Sequence, residues 1–268
     1  MVDKMKHKRV LPFLWTLFRT NLLSAVQYRI SFLGQVVFMM LNNTIFLLFW
    51  WLFFKRFESI GSWQLEDMLT LFALAAIAFG LAATLAGNSV RLSSFIVTGG
   101  LDAFLTLPRS PLLHILFSRS AASAIGDVFF GLIVLLCFTQ VSWMSLPLAL
   151  LAGALGAVVF TSFAVIAHSL CFYLGSAEGI GRMLQESLMT MSLYPEAIFS
   201  IKMRFLLYTV IPAGFMSYIP VHVVKEGALG HLVILALATF CWAKFAVFVF
   251  YRGLEKYESG NLVTTRHL

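Results

Sequence analysis

Apolar stretches of membrane-spanning length recur along this chain, with short polar connections between them. A helix needs about 20 mostly apolar residues to cross the hydrocarbon core of a bilayer. Inside lipid, every backbone polar group must find a partner within the protein, which favours helices. Six stretches meet this description, at about residues 30–54, 67–89, 119–140, 145–173, 181–199 and 228–251. The sequence therefore predicts an all-α polytopic membrane protein with one transmembrane domain over residues 1–268.

The composition agrees with this class and excludes several others. Hydrophobic residues make up 60% of the chain and charged residues 12%, whereas soluble domains carry about 25% charged residues. The net charge of +7 does not indicate a nucleic-acid partner, because the basic residues are spread out between apolar runs. The cysteines, Cys137, Cys171 and Cys241, each lie inside an apolar run without metal or redox spacing. We expect no metal site.

The residues ahead of the first span predict an amphipathic helix over residues 9–28. Its apolar stripe is formed by Leu14, Leu17, Phe18, Leu22 and Ala25, and the basic residues before it are Lys4, Lys6, Lys8 and Arg9. A basic amphipathic helix is typical of a segment lying in the membrane interface against anionic headgroups. The alternative is an ordinary cytoplasmic helix packed on the bundle.

Prolines interrupt the chain between the fourth and the last span. Because proline ends or kinks a helix, Pro195, Pro212 and Pro220 leave two ways to place the fifth span. Either it covers residues 181–199, and residues 201–223 form an external re-entrant segment, or it covers residues 205–222. We favour the first interpretation.

The distribution of lysine and arginine predicts the orientation. The basic residues of the N-terminal segment, of the connection between spans two and three, and of the C-terminal segment are Lys4, Lys6, Lys8, Arg9, Arg19, Arg29, Arg91, Arg109, Arg119, Arg252, Lys256 and Arg266. Six spans with both termini cytoplasmic satisfy this pattern. Lys55, Arg56 and Lys225 then fall outside, against the trend.

Polar side chains within or beside the spans are candidates for the lining of a substrate path. Charged groups at membrane depth are costly and are usually retained for function. The candidates are Asn42, Asn43, Asp127, Glu186, Tyr194 and Glu196. The alternative for the carboxylates is an inter-helix pair that holds the bundle together. For His168 and Lys244, which lie nearer the cytoplasmic side, we favour the structural role.

The segment "TGGLDAFLTLPRSP", residues 98–111, is punctuated by glycines at one end and prolines at the other. Gly99 and Gly100 can free the chain from the preceding segment, and Asp102 suits the first turn of a helix. The apolar residues Leu101, Phe104, Leu105 and Leu107 then present a contact surface, and Pro108 ends it. The alternative is an ordinary connecting turn at the headgroups.

Several of these features together resemble a known family. They are the basic amphipathic N-terminal helix, the "GGLDAFLTLPRSP" element, the string "SLYPEAIFSIKMRFLLYTVIPAGFMSYIP" and the ending "YRGLEKYESGN". In this order they resemble a permease subunit of the type-2 ABC exporters. The resemblance is closest to the six-span bacterial branch, in which two different permeases work with a separate ATPase.

The resemblance implies a role and a set of partners. Residues 99–108 would form a coupling helix that docks in a groove of the ATPase, and short external re-entrant helices would follow span five. A full transporter has two permeases and two ATPase subunits, and we expect the second permease to be a different chain, otherwise an identical copy. ATP and Mg²⁺ would be bound by the ATPase, and this chain would carry no cofactor. The expected location is the bacterial inner membrane, and the expected substrate of export is amphiphilic or hydrophobic.

The sequence contains no phosphate loop of the GxxxxGK[ST] type and no HExxH or GxSxG motif. We therefore expect no enzymatic activity from this chain itself. The main alternative function is an ion- or proton-coupled secondary carrier that uses Asp127 or the glutamates. A membrane-embedded enzyme is disfavoured, because the six histidines are scattered along the chain.

Overall fold

The computed structural model describes residues 10–175, 177–227 and 229–258. The basic residues Lys4, Lys6, Lys8 and Arg9 and the C-terminal Arg266 lie outside this range. The α-helices of the described residues are α1 Val10–Gln27, α2 Arg29–Arg56, α3 Leu65–Leu85, α4 Leu92–Val97, α5 Asp102–Leu105, α6 Pro111–Phe117, α7 Ala124–Cys137, α8 Leu146–Ser169, α9 Cys171–Leu174, α10 Glu178–Ser192, α11 Ile201–Thr209, α12 Ile219–Glu226 and α13 Leu229–Leu254. A π-helical turn, Gly214–Tyr218, precedes α12.

Four of these helical segments are long and apolar enough to cross a membrane: α2, α3, α8 with α9, and α13. Helix α7 is apolar but has only 14 residues, and α10 has 15. Helix α11 and the segment Gly214–Glu226 are bent by 81° against each other, as in a broken span or a re-entrant loop. The predicted all-α polytopic membrane fold is confirmed, whereas the number of six spans stays a prediction.

Helices α3 and α8 form the centre of the bundle because small residues let the helices around them approach closely. Ala149, Ala152, Gly153, Gly156 and Ala157 of α8 are all buried. A methyl group added at Gly153 would meet the side chain of Ile77, and one at Gly156 would meet the backbone of Met216. Close backbone approach of this kind is the usual way in which helices associate in lipid.

Helix α7 begins five residues later than the predicted third span. Residues 119–123 instead run beside the end of α3, where Arg119 O accepts from Gly87 N at 3.0 Å and Ala121 N donates to Ala83 O at 3.0 Å. The bond to Ala83 O satisfies a carbonyl in the last turn of α3, where helical donors are missing. The chain turns into α7 only after this contact.

The two ends of the bundle carry different segments. At one end, Asn21 of α1 donates to Phe117 O at 3.0 Å and Ser110 lies 2.9 Å from the Tyr251 hydroxyl of α13. We call this the coupling end. The N-terminal helix and the last turn of α13 therefore lie at the same end as residues 98–111.

The opposite end, which we call the cap end, is covered by the bent segment of residues 201–226. Lys225 Nζ lies 2.7 Å from Asp67 Oδ1, and the Tyr218 hydroxyl donates to Met191 O at 2.7 Å. The other oxygen of Asp67 accepts from Gln64 N at 3.0 Å and so caps the start of α3. One carboxylate thus holds both a helix start and the cap.

Candidate translocation cavity and coupling segment

A cavity of about 160 Å³ lies among helices α2, α3, α7 and α10 and the π-helical turn. Its lining residues are Met39, Asn42, Asn43, Phe46, Phe72, Ala75, Ala76, Phe79, Asp127, Met189, Leu193 and Met216. It brings together three of the predicted path residues, namely Asn42, Asn43 and Asp127. The cavity is therefore the part of the predicted substrate path that the fold assembles.

Two glycines set the position of α7 at this cavity. A methyl group added at Gly126 would lie 2.7 Å from the carbonyl oxygen of Val36, and one at Gly131 would lie 2.6 Å from that of Ala73. Neither contact leaves room for a side chain, so α7 packs directly on the backbones of α2 and α3. This close packing places Asp127, next to Gly126, opposite α2.

Asp127 and Asn43 form the polar centre of the cavity. Asn43 Nδ2 donates to Asp127 Oδ1 at 2.6 Å. Both residues are buried, at 8% exposure for Asn43 and 3% for Asp127. The second carboxylate oxygen, Oδ2, is also buried and has no hydrogen-bond partner among the described residues.

Asn42 lies on the open side of the same cavity. It is exposed, although it lies midway along α2, whose apolar length suits a membrane span. An amide at this depth is unfavourable against lipid tails. The side of α2 that carries Asn42 is thus suited to face another protein surface or a water-filled path.

The remaining predicted path residues lie elsewhere. The Tyr194 ring packs on the rings of Phe46 and Trp50, with centroids at 6.4 Å and 5.7 Å. Tyr194 therefore lies next to the cavity, on the side of the cap end. Glu186 is exposed on α10 and is not among the lining residues of the cavity. The structure therefore separates Glu186 from Asp127.

Glu196 belongs to the cap end. The Tyr208 hydroxyl donates to Glu196 Oε2 at 2.9 Å, and Nε2 of His222 lies 4.0 Å from Oε1. The neighbouring His222 imidazole holds the pKa of the Glu196 carboxyl below its ordinary value, and Tyr208 and Arg204 act in the same direction against the effect of burial. Glu196 thus fastens the cap rather than lining the cavity.

The coupling segment, residues 98–111, begins with the two glycines that the sequence singled out. Gly99 has a φ of +77°, in the left-handed region that glycine adopts without steric penalty. A methyl group at Gly100 would lie 2.9 Å from the Phe95 ring. The chain therefore forms a turn between α4 and α5.

The apolar residues of the coupling segment face in two directions. Leu101 is buried at 1% exposure, and the Phe104 ring packs edge-on against Phe95 and His114, with centroids at 5.8 Å and 5.2 Å. Leu105 and Leu107 are each 40% exposed, and Pro108 is exposed beside them. Asp102 starts α5, which is one turn long. Leu101 and Phe104 hold the segment in place, and Leu105, Leu107 and Pro108 form its free face.

A family model described as "ABC-2 family transporter protein" matches residues 39–260. This range begins at Met39 in the cavity, includes the coupling segment and ends six residues after α13. The chain belongs to this family. Comparisons with curated proteins and with solved structures gave no match.

This ABC-2 transporter protein carries cavity residues that the sequence did not single out. They are Met39, Phe46, Phe72, Ala75, Ala76, Phe79, Met189, Leu193 and Met216. All are apolar residues of spans or of the cap, and the chain contains 27 phenylalanines. The sequence does not distinguish these residues from apolar residues that face lipid. Only the packing of the helices shows which of them lie near Asp127.

A buried hydrogen-bond chain crosses the coupling end of the ABC-2 protein. His168 Nδ1 lies 2.9 Å from the Ser93 hydroxyl, and Nε2 lies 2.9 Å from Gln185 Oε1. The chain joins α4, α8 and α10, and Gly181 leaves room for it, since a methyl group there would lie 2.9 Å from Nδ1. His168 thus contacts helix neighbours, which is the structural role that its position in the sequence favours.

Proposed function

We propose that this chain is the permease subunit of an ATP-driven exporter and forms a path for an amphiphilic or hydrophobic substrate. Its energy comes from a separate ATPase present in two copies. The complete transporter contains a second permease, which we infer to be a different chain. We place it in a bacterial inner membrane, with both termini in the cytoplasm.

The observation that carries this proposal is the geometry of the coupling segment. Residues 101–108 lie at the end of the bundle and expose Leu105, Leu107 and Pro108. The segment is fixed from several sides: the guanidinium of Arg109 lies 5.2 Å from the Phe13 ring, and Ser110 bonds Tyr251. An apolar face that is held in place by such contacts can transmit a conformational change of a docked protein to the helices that it packs against.

The sequence itself supports a separate energy source. No phosphate loop is present anywhere in the 268 residues. Family membership explains this, since the chain is the membrane component of an ABC transporter. We therefore infer that ATP and Mg²⁺ bind to the partner.

The exposed side of α2 supports the proposal that a second permease is present. Asn42 lies midway along this helix and is exposed beside the cavity. A second permease that packs on this side would remove the amide from lipid and would enclose a path between the two chains.

The proposal is tested by co-expression with an ABC-type ATPase from the same genome. We expect the ATPase to copurify and to hydrolyse ATP, and Leu105→Asp to reduce transport per ATP hydrolysed about tenfold or more, because a charge is placed in an apolar contact. The measurements are copurification, ATP hydrolysis and substrate efflux from reconstituted vesicles.

Met144→Asp is the matched control. Met144 is 90% exposed and lies in the connection between α7 and α8 at the cap end, so the same charge should leave coupling unchanged. Phe104→Asp differs from both, because Phe104 packs inward and its replacement should also lower the thermal stability. If Leu105→Asp and Met144→Asp have equal effects, the coupling face is assigned wrongly.

The second candidate is the ion- or proton-coupled secondary carrier, which the buried Asp127 favours. A carrier would transport its substrate with no ATPase bound, in response to a pH or ion gradient. Full transport by this chain alone would refute the ATP-driven proposal and select the carrier.

A further inference from the structure

The cavity contains one carboxylate with an unused oxygen. Asp127 is the single ionisable side chain among its lining residues, and Asn43 occupies Oδ1 only. No Lys, Arg or His of the described chain forms an ion pair with Asp127. A buried carboxylate without a counter-charge is unfavourable, so Oδ2 requires a proton or a cation.

The walls of the cavity suit a cation that carries apolar groups. Phe46, Phe72 and Phe79 line it, and the rings of Phe46 and Phe72 stack with centroids 5.1 Å apart. Aromatic faces attract cations electrostatically. The thioethers of Met39, Met189 and Met216 are polarisable and adapt to irregular shapes. An anion would meet Asp127 directly and would be repelled.

The dimensions suit a headgroup rather than a whole amphiphile. The cavity holds about 160 Å³, whereas pockets that enclose drug-sized ligands start at about 300 Å³. The rest of a longer molecule would leave on the open side beside Asn42. A shallow groove continues from the cavity towards the coupling end, because Met39 lines both. The groove is also lined by Ile30, Gly34 and Phe38.

We propose that this cavity binds the protonated amine headgroup of an amphiphilic substrate. An ammonium N–H donates to Asp127 Oδ2, the aromatic rings surround the charge, and the apolar tail leaves past Asn42. A protonated amine fits better than a quaternary ammonium, because only the amine supplies a hydrogen to the unpartnered oxygen. The inference rests on the proposed permease function and names the substrate class of the same path.

The first test uses the wild-type permease with its ATPase in lipid nanodiscs. The probes share one dodecyl chain and differ in the headgroup: N,N-dimethyldodecylamine, dodecyltrimethylammonium, dodecanol and dodecanoate. Displacement of the radiolabelled amine gives their relative affinities at neutral pH. We expect the amine to bind roughly thirtyfold more tightly than dodecanol, the quaternary ammonium to lie between them, and dodecanoate to bind most weakly. Equal affinities for the amine and dodecanol would overturn the proposal without any mutation.

The second test assigns the preference to Asp127. Asp127→Asn should bring the amine and dodecanol to equal affinity, because the amide carries no charge. Asp127→Glu, which keeps a carboxylate, should retain part of the preference. The control is Glu58→Gln, which removes an exposed carboxylate outside the cavity and should keep the wild-type ratio. A wild-type ratio in Asp127→Asn would refute the assignment.

The same binding measurements, made on the permease purified after co-expression with the ATPase, separate this inference from the permease function. If the ATPase copurifies and hydrolyses ATP while wild type shows no amine preference, the substrate class is wrong and the permease function stands. If the amine preference depends on Asp127 but no ATPase associates, the site stands and the ATP-driven function fails.

Discussion

Neighbouring residues of similar chemistry have different environments in the coupling segment. Phe104 and Leu105 are both apolar, yet the Phe104 ring is packed against Phe95 and His114, whereas Leu105 is 40% exposed. The backbone direction of a single helical turn decides which of them faces the bundle. The exposed apolar face of the segment, which we propose to be the coupling face, is therefore narrower than the apolar pattern of the sequence predicts.

At the same scale, Glu196 predicts a pH dependence of the cap. Its pKa is lowered in the folded state, chiefly by His222. The ionised carboxylate therefore stabilises the fold above the ordinary glutamate pKa, and this contribution is lost as the pH falls through the lowered value. We expect Glu196→Gln to lower the Tm in detergent at about pH 7 and to lower it less at about pH 3. An equal loss of Tm at both values would show that the charge of Glu196 is not what stabilises the cap.

At the scale of single elements, α7 packs on α2 without room for an added methyl group at Gly126. Gly126→Ala should destabilise the protein by about 1–3 kcal/mol, because the added methyl group collides with the backbone of α2. Gly34→Ala on α2 is the matched control, because a methyl group there meets nothing within 4 Å. Thermal unfolding of the two variants in detergent measures the difference. Equal stability would show that α7 can move away from α2 without loss.

The elements also show what the sequence can and cannot predict. Helix α1, Val10–Gln27, agrees with the predicted residues 9–28 because its apolar stripe is regular. The late start of α7 depends on bonds from residues 119–123 to the end of α3, which no local pattern records. The pairing of Asn43 with Asp127 joins residues 84 positions apart. The hydropathy of the sequence locates the helices, but it does not show which faces of different helices pack against each other.

At the scale of the whole molecule, the coupling segment and the connection between α7 and α8 lie at opposite ends of the bundle. We expect Thr106→Cys to be labelled from the cytoplasm and Met144→Cys from outside, in a background with Cys137, Cys171 and Cys241 replaced by alanine. Both positions are exposed. Intact and permeabilised cells are labelled with a membrane-impermeant maleimide. Comparison of the two shows from which side of the membrane each cysteine is accessible. Labelling of both positions from one side would contradict the predicted orientation.

The carboxylate of Asp67 joins the cap to the start of α3. It holds Lys225 of the cap at 2.7 Å and the backbone of Gln64 at 3.0 Å. Asp67 is buried, at 8% exposure, whereas the side chain of Lys225 is 56% exposed. Separation of the pair would leave the Asp67 carboxylate buried without a counter-charge, although Lys225 would stay hydrated. The ion pair therefore favours the arrangement in which the cap is packed on the first turn of α3.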